Sequence, residues 1–137
     1  MKYMLMVMGN QAEYDAMEGK GDGPAVWTEE SMKAMFEYMG ALNNDLAESG
    51  ELIDAQGLTA PAQGKAVTVK DGKTVVVDGP FVEAKEVLAG YWIVDVASEE
   101  RAIEIAARAF SCPVPEGASA SLPVVVQPIG DAGAEEL

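Results

Sequence analysis

The chain has 137 residues and a formal net charge of −14, from 23 acidic and nine basic side chains. This length fits one domain with its own core, and the charge argues against DNA, RNA or an anionic membrane surface as a direct partner. One cysteine and no histidine exclude an internal disulfide and any Ser-His-Asp or Cys-His mechanism within one chain. The apolar start, residues 1–8, is too short for a signal peptide or a membrane span, so we expect a cytoplasmic protein.

Residues 2–8 form the first predicted strand, because their apolar side chains alternate between two faces. Tyr3, Leu5 and Val7 share one face, and Met4, Met6 and Met8 share the other. Both faces should therefore be covered, which favours helices on one side and a second subunit on the other. Residues 9–26 are rich in Gly, Asp and Glu and predict a loop, with a lid and plain disorder as equal alternatives.

The first predicted helix begins after Thr28, a good N-cap, and ends near Gly50. Its apolar residues recur at helical spacing; they are Met32, Met35, Phe36, Met39, Leu42 and Leu46. Asn43 and Asn44 are expected to face solvent. Residues 51–58 predict the second strand, and residues 65–70 and 73–77 flank Asp71-Gly72, a strong signal for a hairpin.

Residues 88–96 predict the next strand, with Trp92, Val94 and Val96 opposite Tyr91, Ile93 and Asp95. Ser98 caps a second helix, in which Arg101 and Arg108 are expected to be solvated. Residues 122–129 form the last strand, and residues 131–137 form a flexible acidic tail behind a single domain of residues 1–130. The predicted order without its extra hairpin is the split βαβ arrangement of a ferredoxin-like α+β fold.

The stretch around Asp78 joins a β-branched strand to a Gly79-Pro80 turn, which stops the strand. A carboxylate at this point either caps the turn or faces a cleft as a functional group, and the sequence leaves both interpretations open. Three further charged residues follow the turn: Glu83, Lys85 and Glu86.

This central stretch resembles the signature of the DGPF-type proteins of the YCII-related family. The matching residues are Asp78-Gly79-Pro80-Phe81, Glu83, Lys85-Glu86, Leu88 and Gly90-Tyr91, together with residues 1–5, 102–108, 112–113 and 128–129. The resemblance implies a ferredoxin-like domain that pairs into a dimeric α/β barrel, and therefore a homodimer. The family is largely uncharacterised, so the resemblance implies little about activity.

The sequence departs from the family in two respects. Related YCII proteins have a proposed catalytic His–Asp pair, and Asp78 matches the Asp although this chain has no histidine. Glu and Arg usually precede Pro-Ile near the end of the family pattern, where this chain has Val125 and Gln127. The missing histidine argues against catalysis by this chain alone, and Val125 and Gln127 mean that any ligand contact made by the family's Glu and Arg is lost here.

Three classes of function remain. The first is an enzyme with Asp78 as general acid or base beside Glu83, Lys85 or Glu86. The second is a small-molecule-binding or regulatory module whose cleft is lined by methionines, Tyr91 and Trp92, with Asp78 as its polar anchor; the genetic setting of family members, beside transcription-initiation factors, suggests such a role. The third is a purely structural or interaction role, in which Asp78 caps the turn and the methionine-rich face is only a dimer interface.

We favour the second class, a homodimeric binding or regulatory protein, with Glu83, Lys85, Glu86, Tyr91 and Trp92 as ligand-binding candidates. Only carboxylates are available as metal ligands, and they are too sparse for a calcium loop, so we predict neither a metal nor a cofactor.

Overall fold

The computed structural model describes residues 1–20, 26–80, 86–115, 118 and 122–130. Its helices are α1 (Gln11–Met17), α2 (Glu29–Ser49) and α3 (Glu99–Phe110), and a 3-10 turn spans Pro61–Gln63. Its strands are β1 (Lys2–Gly9), β2 (Leu52–Gly57), β3 (Lys65–Lys70), β4 (Lys73–Asp78), β5 (Val87–Asp95) and β6 (Val124–Pro128). The α+β class expected from the sequence is confirmed, and the acidic tail lies outside the described residues.

A four-stranded sheet forms the centre of the fold. Its strand order is β2-β5-β1-β6, and every neighbouring pair is antiparallel. Strands β3 and β4 pair only with each other and form a separate two-stranded ribbon. The ribbon turns at Asp71 and Gly72, whose positive φ angles of 51° and 75° suit the tight hairpin turn predicted for this dipeptide.

Helices α2 and α3 cover one face of the sheet. A reciprocal capping box starts α2: Thr28 Oγ1 accepts from the Ser31 amide, and Ser31 Oγ accepts from the Thr28 amide. Gly50 ends the helix in the left-handed conformation, with φ of 78°. The core between helices and sheet contains Tyr3, Leu5, Leu42, Leu46, Trp92, Val94, Val96, Ala102, Ile105, Ala106 and Ala109. No helix in the described ranges is both long enough and apolar enough to cross a membrane.

The loop predicted for residues 9–26 is wrong in its first half, where the chain forms α1. Asn10 caps this helix, because its Oδ1 accepts a hydrogen bond from the Glu13 amide at 2.9 Å. The Tyr14 hydroxyl then donates to the carbonyl oxygens of Leu58, at 2.8 Å, and Ala89. The segment lacks the apolar stripe that would have indicated a helix, so its polar composition suggested a loop. Hydrogen bonds from Tyr14 to distant residues hold α1 in place instead. Residues 21–25 lie outside the described part.

The sequence predicted a solvated Arg101, but the structure shows that its guanidinium is paired with Glu51. Its Nε and Nη2 each donate to one carboxylate oxygen of Glu51, both at 2.9 Å. The fork joins the start of α3 to the residue that precedes β2, and the Glu51 side chain is only 17% exposed. Hydrogen bonds from Arg101 hold the pKa of Glu51 below its usual range, against the opposing effect of partial burial.

Replacing Glu51 by glutamine should lower the free energy of unfolding at pH 7 by about 1–2 kcal/mol, because the charged bidentate pair is lost. A carboxyl whose pKa is lower in the folded state stabilises fully above its unfolded pKa, about 4.3, and loses this contribution as pH falls through the folded pKa. The difference between the two proteins in urea denaturation should therefore shrink below about pH 4.

Glu104→Gln is the matched control, since Glu104 contacts the same Arg101 through Nη1 at 3.1 Å but has a 67% exposed side chain. Exposed ion pairs contribute little to stability, so the free energy of unfolding of this variant should fall by less than about 0.5 kcal/mol. Equal losses in the two variants would contradict the role given to Glu51.

Candidate functional site

The sheet has a second face, opposite α2 and α3, which we call the open face. Two rows of cross-strand neighbours define it, each running through β2, β5, β1 and β6. The first row is Gln56, Tyr91, Met6 and Val125, and the second is Asp54, Ile93, Met4 and Gln127. Its centre is apolar and its outer positions are polar or exposed, with Val125 at 37% exposure. An apolar face of this kind is typical of a binding or subunit surface.

Tyr91 and Asp54 form a polar pair on the open face. The Tyr91 hydroxyl donates to Asp54 Oδ2 at 3.2 Å, from one strand to its neighbour. A β-bulge between Leu52 and Asp54 adjusts the register here. Asp54 Oδ1 also accepts from the Ala55 amide at 2.9 Å and from Gln56 Nε2 at 3.2 Å. The carboxylate is therefore fixed in position by the strand that carries it.

The environment of Tyr91 further favours the protonated form of its phenol. Loss of solvation, followed by the hydrogen bond to Asp54 and the charge of Asp54, raises the pKa of Tyr91 above its ordinary value. The pair thus presents a carboxylate acceptor and a neutral hydroxyl beside the side chains of Met6 and Ile93. Such a surface can receive a flat apolar molecule and orient it by a hydrogen bond.

Trp92 and Tyr91, two of the sequence-predicted ligand residues, lie on opposite faces of β5. Tyr91 is on the open face, whereas Trp92 is in the core and only 5% exposed. The Trp92 indole Nε1 donates to Asn43 Oδ1 on α2 at 2.7 Å. Asn43 had been predicted to face solvent, and that expectation is wrong, because its partner lies 49 residues away in the sequence.

Asp78 lies at the base of the ribbon, at the end of β4. Its Oδ1 contacts Lys65 Nζ at 2.6 Å, and the Asp78 side chain is 75% exposed. The partners expected from the sequence are only partly described: Glu83 and Lys85 lie outside the described residues. Glu86 is described and exposed, and its charge adds to the effect of burial in raising the pKa of Glu13.

The turn after Asp78 packs against the 3-10 turn. The Gly79 amide donates to the Gly64 carbonyl at 2.9 Å, and a side chain at Gly79 would overlap the carbonyl of Pro61. A groove of about 290 Å³ adjoins this contact and is lined by Leu58, Pro61, Gly64, Val87 and Leu88 among others. It contains no acidic, basic or histidine side chain among its lining residues. Among the described residues the groove is therefore a mainly apolar cleft, with the Thr59 hydroxyl as its polar side-chain group.

A metal centre finds no support in the described part of the chain, where no group of three His, Cys, Asp or Glu side chains is placed to hold an ion. Asp54 and Gln56 were not among the site residues predicted from the sequence. Their alternate spacing in β2 was the available signal, since it puts both on one face of the strand. Sequence alone could not show that this face adjoins Tyr91.

The pattern that defines the YCII-related domain matches residues 1–126 of this chain. An uncharacterised protein of Rhizobium meliloti (strain 1021) is 29% identical to it over 82 residues. That alignment covers 60% of this chain and 66% of the relative, just under two thirds of its length. The domain match spans almost all of the described sheet and helices. The chain therefore belongs to the YCII-related family.

Proposed function

We propose that this protein is a homodimer that binds a small, largely apolar molecule on the open face of its sheet. The observation that carries the proposal is the Tyr91–Asp54 pair, a fixed hydrogen-bonding site beside the apolar centre of the open face. Binding sites commonly combine an apolar wall with a few oriented polar groups. A regulatory role is compatible with such a site, because regulation requires binding but no reaction.

Topology supports the finer description of the fold as ferredoxin-like. Strands β1 and β2 run parallel with β5 between them, since each is antiparallel to β5. Helix α2 connects them, which gives a split βαβ unit. In the dimeric barrel that we propose, the open faces of two copies face each other and enclose the ligand. The Asp78-Gly79-Pro80-Phe81 sequence supports placement in the DGPF subgroup.

Charge restricts the class of ligand. Asp54 presents a carboxylate at the site, and the chain carries a net charge of −14. Opposed charges at about 6 Å contribute on the order of 2–3 kcal/mol near a protein surface, and like charges cost a similar amount. We therefore propose a neutral or cationic aromatic ligand and exclude anionic ligands from this site.

Two fluorescent probes with the same ring system test the proposal. N-phenyl-1-naphthylamine is neutral, and 8-anilinonaphthalene-1-sulfonate adds one sulfonate to it. We expect the wild-type protein to bind the neutral probe at least about tenfold more tightly. Asp54→Asn should leave the affinity for the neutral probe within about twofold and raise the affinity for the sulfonate about tenfold, because it removes the charge and keeps the shape.

Asp45→Asn is the matched control, because Asp45 lies on α2 and pairs with Arg108 at 2.6 Å, on the helical side of the sheet. It should change neither affinity beyond twofold, since charges more than about 10 Å apart are largely screened at 0.1 M salt. Tyr91→Ala should lower the affinity for both probes, because it removes an aromatic side chain that forms part of the site. A sulfonate affinity that does not respond to Asp54→Asn would exclude the open face as the binding site.

Catalysis by Asp78 is the less favoured alternative. A poised acid or base is usually held in a protected site, whereas the side chains of Asp78 and Lys65 are 75% and 57% exposed. The adjoining apolar groove is the one feature that favours a reaction there. A turnover that is lost in Asp78→Asn but retained in Asp71→Asn, at the tip of the same ribbon, would support this alternative.

A further inference from the structure

The ribbon formed by β3 and β4 stands apart from the core. All twelve residues of its two strands are exposed, on both faces of the ribbon. The exposed side chains include five valines: Val67, Val69, Val75, Val76 and Val77. Val67 and Val69 are 61% and 68% exposed. A two-stranded ribbon alone is only marginally stable in water, so a partner surface that covers the exposed valines would stabilise it.

The charge of the ribbon differs from that of the rest of the protein. It holds three of the nine basic residues and two of the 23 acidic residues, so the ribbon carries +1 and the remainder of the chain −15. Lys70 and Lys73 are direct cross-strand partners beside the turn. Like charges in that position repel, and neither lysine has an acidic partner among the described residues. The tip therefore favours contact with a negatively charged surface.

We propose that the ribbon is an arm that docks on a second copy of this chain. The second copy fits because its surface outside the ribbon is strongly acidic and complements the lysines at the tip. In a twofold dimer each copy both extends and receives an arm, so one chain supplies both the ribbon and the surface that receives it. This inference rests on the homodimer proposed above and adds the element that holds it together.

Interface area supports the same occupant. Four strands about 4.8 Å apart and about 17 Å long give the open face a projected area of about 300 Å². Two strands about 20 Å long and about 10 Å wide together add about 200 Å² on each face of the ribbon. One face of the ribbon therefore adds to the contact about two thirds of the projected area of the open face.

A charge-reversal experiment tests the lysine tip. Lys70→Glu/Lys73→Glu should weaken the dimer at least about tenfold in sedimentation equilibrium, because the contact with the acidic copy becomes repulsive. Lys20→Glu/Lys33→Glu is the control, since it makes the same change of charge at exposed positions outside the ribbon. The control should shift the dissociation constant less than about threefold, and added salt should weaken the wild-type dimer more than the ribbon variant.

A second pair of variants tests the apolar contact without a change of charge. Val67→Thr/Val69→Thr keeps strand propensity and should weaken the dimer about tenfold. Val26→Thr/Val114→Thr changes two exposed valines outside the ribbon and should leave it unaffected. If both ribbon variants leave the dissociation constant of the dimer unchanged, the proposal of a docking arm is wrong, while the homodimer itself is supported. A wild-type protein that is monomeric at every concentration overturns both, whereas the ligand site is tested separately by the two probes.

Discussion

Replacement of Gly90 by alanine should destabilise the protein by about 1–3 kcal/mol, the range for forcing an atom into a packed site. Gly90 is buried in β5, and a Cβ atom built on it lies 2.9 Å from the carbonyl oxygen of Gln56 in β2. The obstructing atom belongs to the backbone of the neighbouring strand. It can move only if the β2–β5 pairing moves with it, and this pairing positions Asp54 beside Tyr91.

Gly57→Ala is the matched control, because Gly57 is the register partner of Gly90 in the same strand pair. A Cβ atom at Gly57 has nothing within 4 Å. Its alanine variant should be neutral or more stable by up to about 1 kcal/mol, since alanine restricts the unfolded chain. Urea denaturation of both variants measures the difference. Equal stabilities would show that the close approach of β2 and β5 does not limit this position.

Replacement of Asn43 by alanine should cost about 1–3 kcal/mol, because it leaves the buried indole N–H of Trp92 without an acceptor. The bond concerned is 2.7 Å long, and Trp92 is 5% exposed. Asn43→Asp keeps an oxygen at the same position, so it should retain more stability than the alanine variant. Chemical denaturation followed by tryptophan fluorescence reports both the stability and the environment of the indole.

Asn44→Ala is the control for helix propensity, since Asn44 is the exposed neighbour of Asn43 on α2. Its stability should change by no more than about 0.5 kcal/mol. If the Asn43 and Asn44 variants show equally small decreases in the free energy of unfolding, the hydrogen bond to Trp92 does not hold α2 against the sheet. The sheet face that carries the helices would then depend on apolar packing alone.

The local elements of this fold could be predicted from the sequence because their signals lie within a few residues. Thr28 and Ser98 each accept a hydrogen bond from the amide three residues later and start their helices where expected. Asp71-Gly72 turns the ribbon as its composition predicts. The alternation in β5 also predicted correctly that Trp92 and Val94 share a face opposite Tyr91.

Features that depend on distant partners could not be predicted in this way. Tyr14 holds α1 through carbonyls 44 and 75 residues away, and Asn43 meets Trp92 across 49 residues. The candidate site has the same origin, because the β-bulge in β2 and the register with β5 bring Asp54 to Tyr91. The motif around Asp78 suggested a site because its residues are close together in the sequence. In the structure the Asp78 carboxylate is exposed and pairs with Lys65.

We propose that the open faces of two copies enclose a neutral or cationic, largely apolar ligand. Sedimentation velocity of the wild-type protein with N-phenyl-1-naphthylamine, followed at the absorption bands of both protein and probe, tests it most directly. We predict one boundary at the mass of a dimer, with the probe sedimenting in it. A protein that sediments as a monomer, or a probe that stays behind the protein boundary at saturating concentration, would contradict the claim.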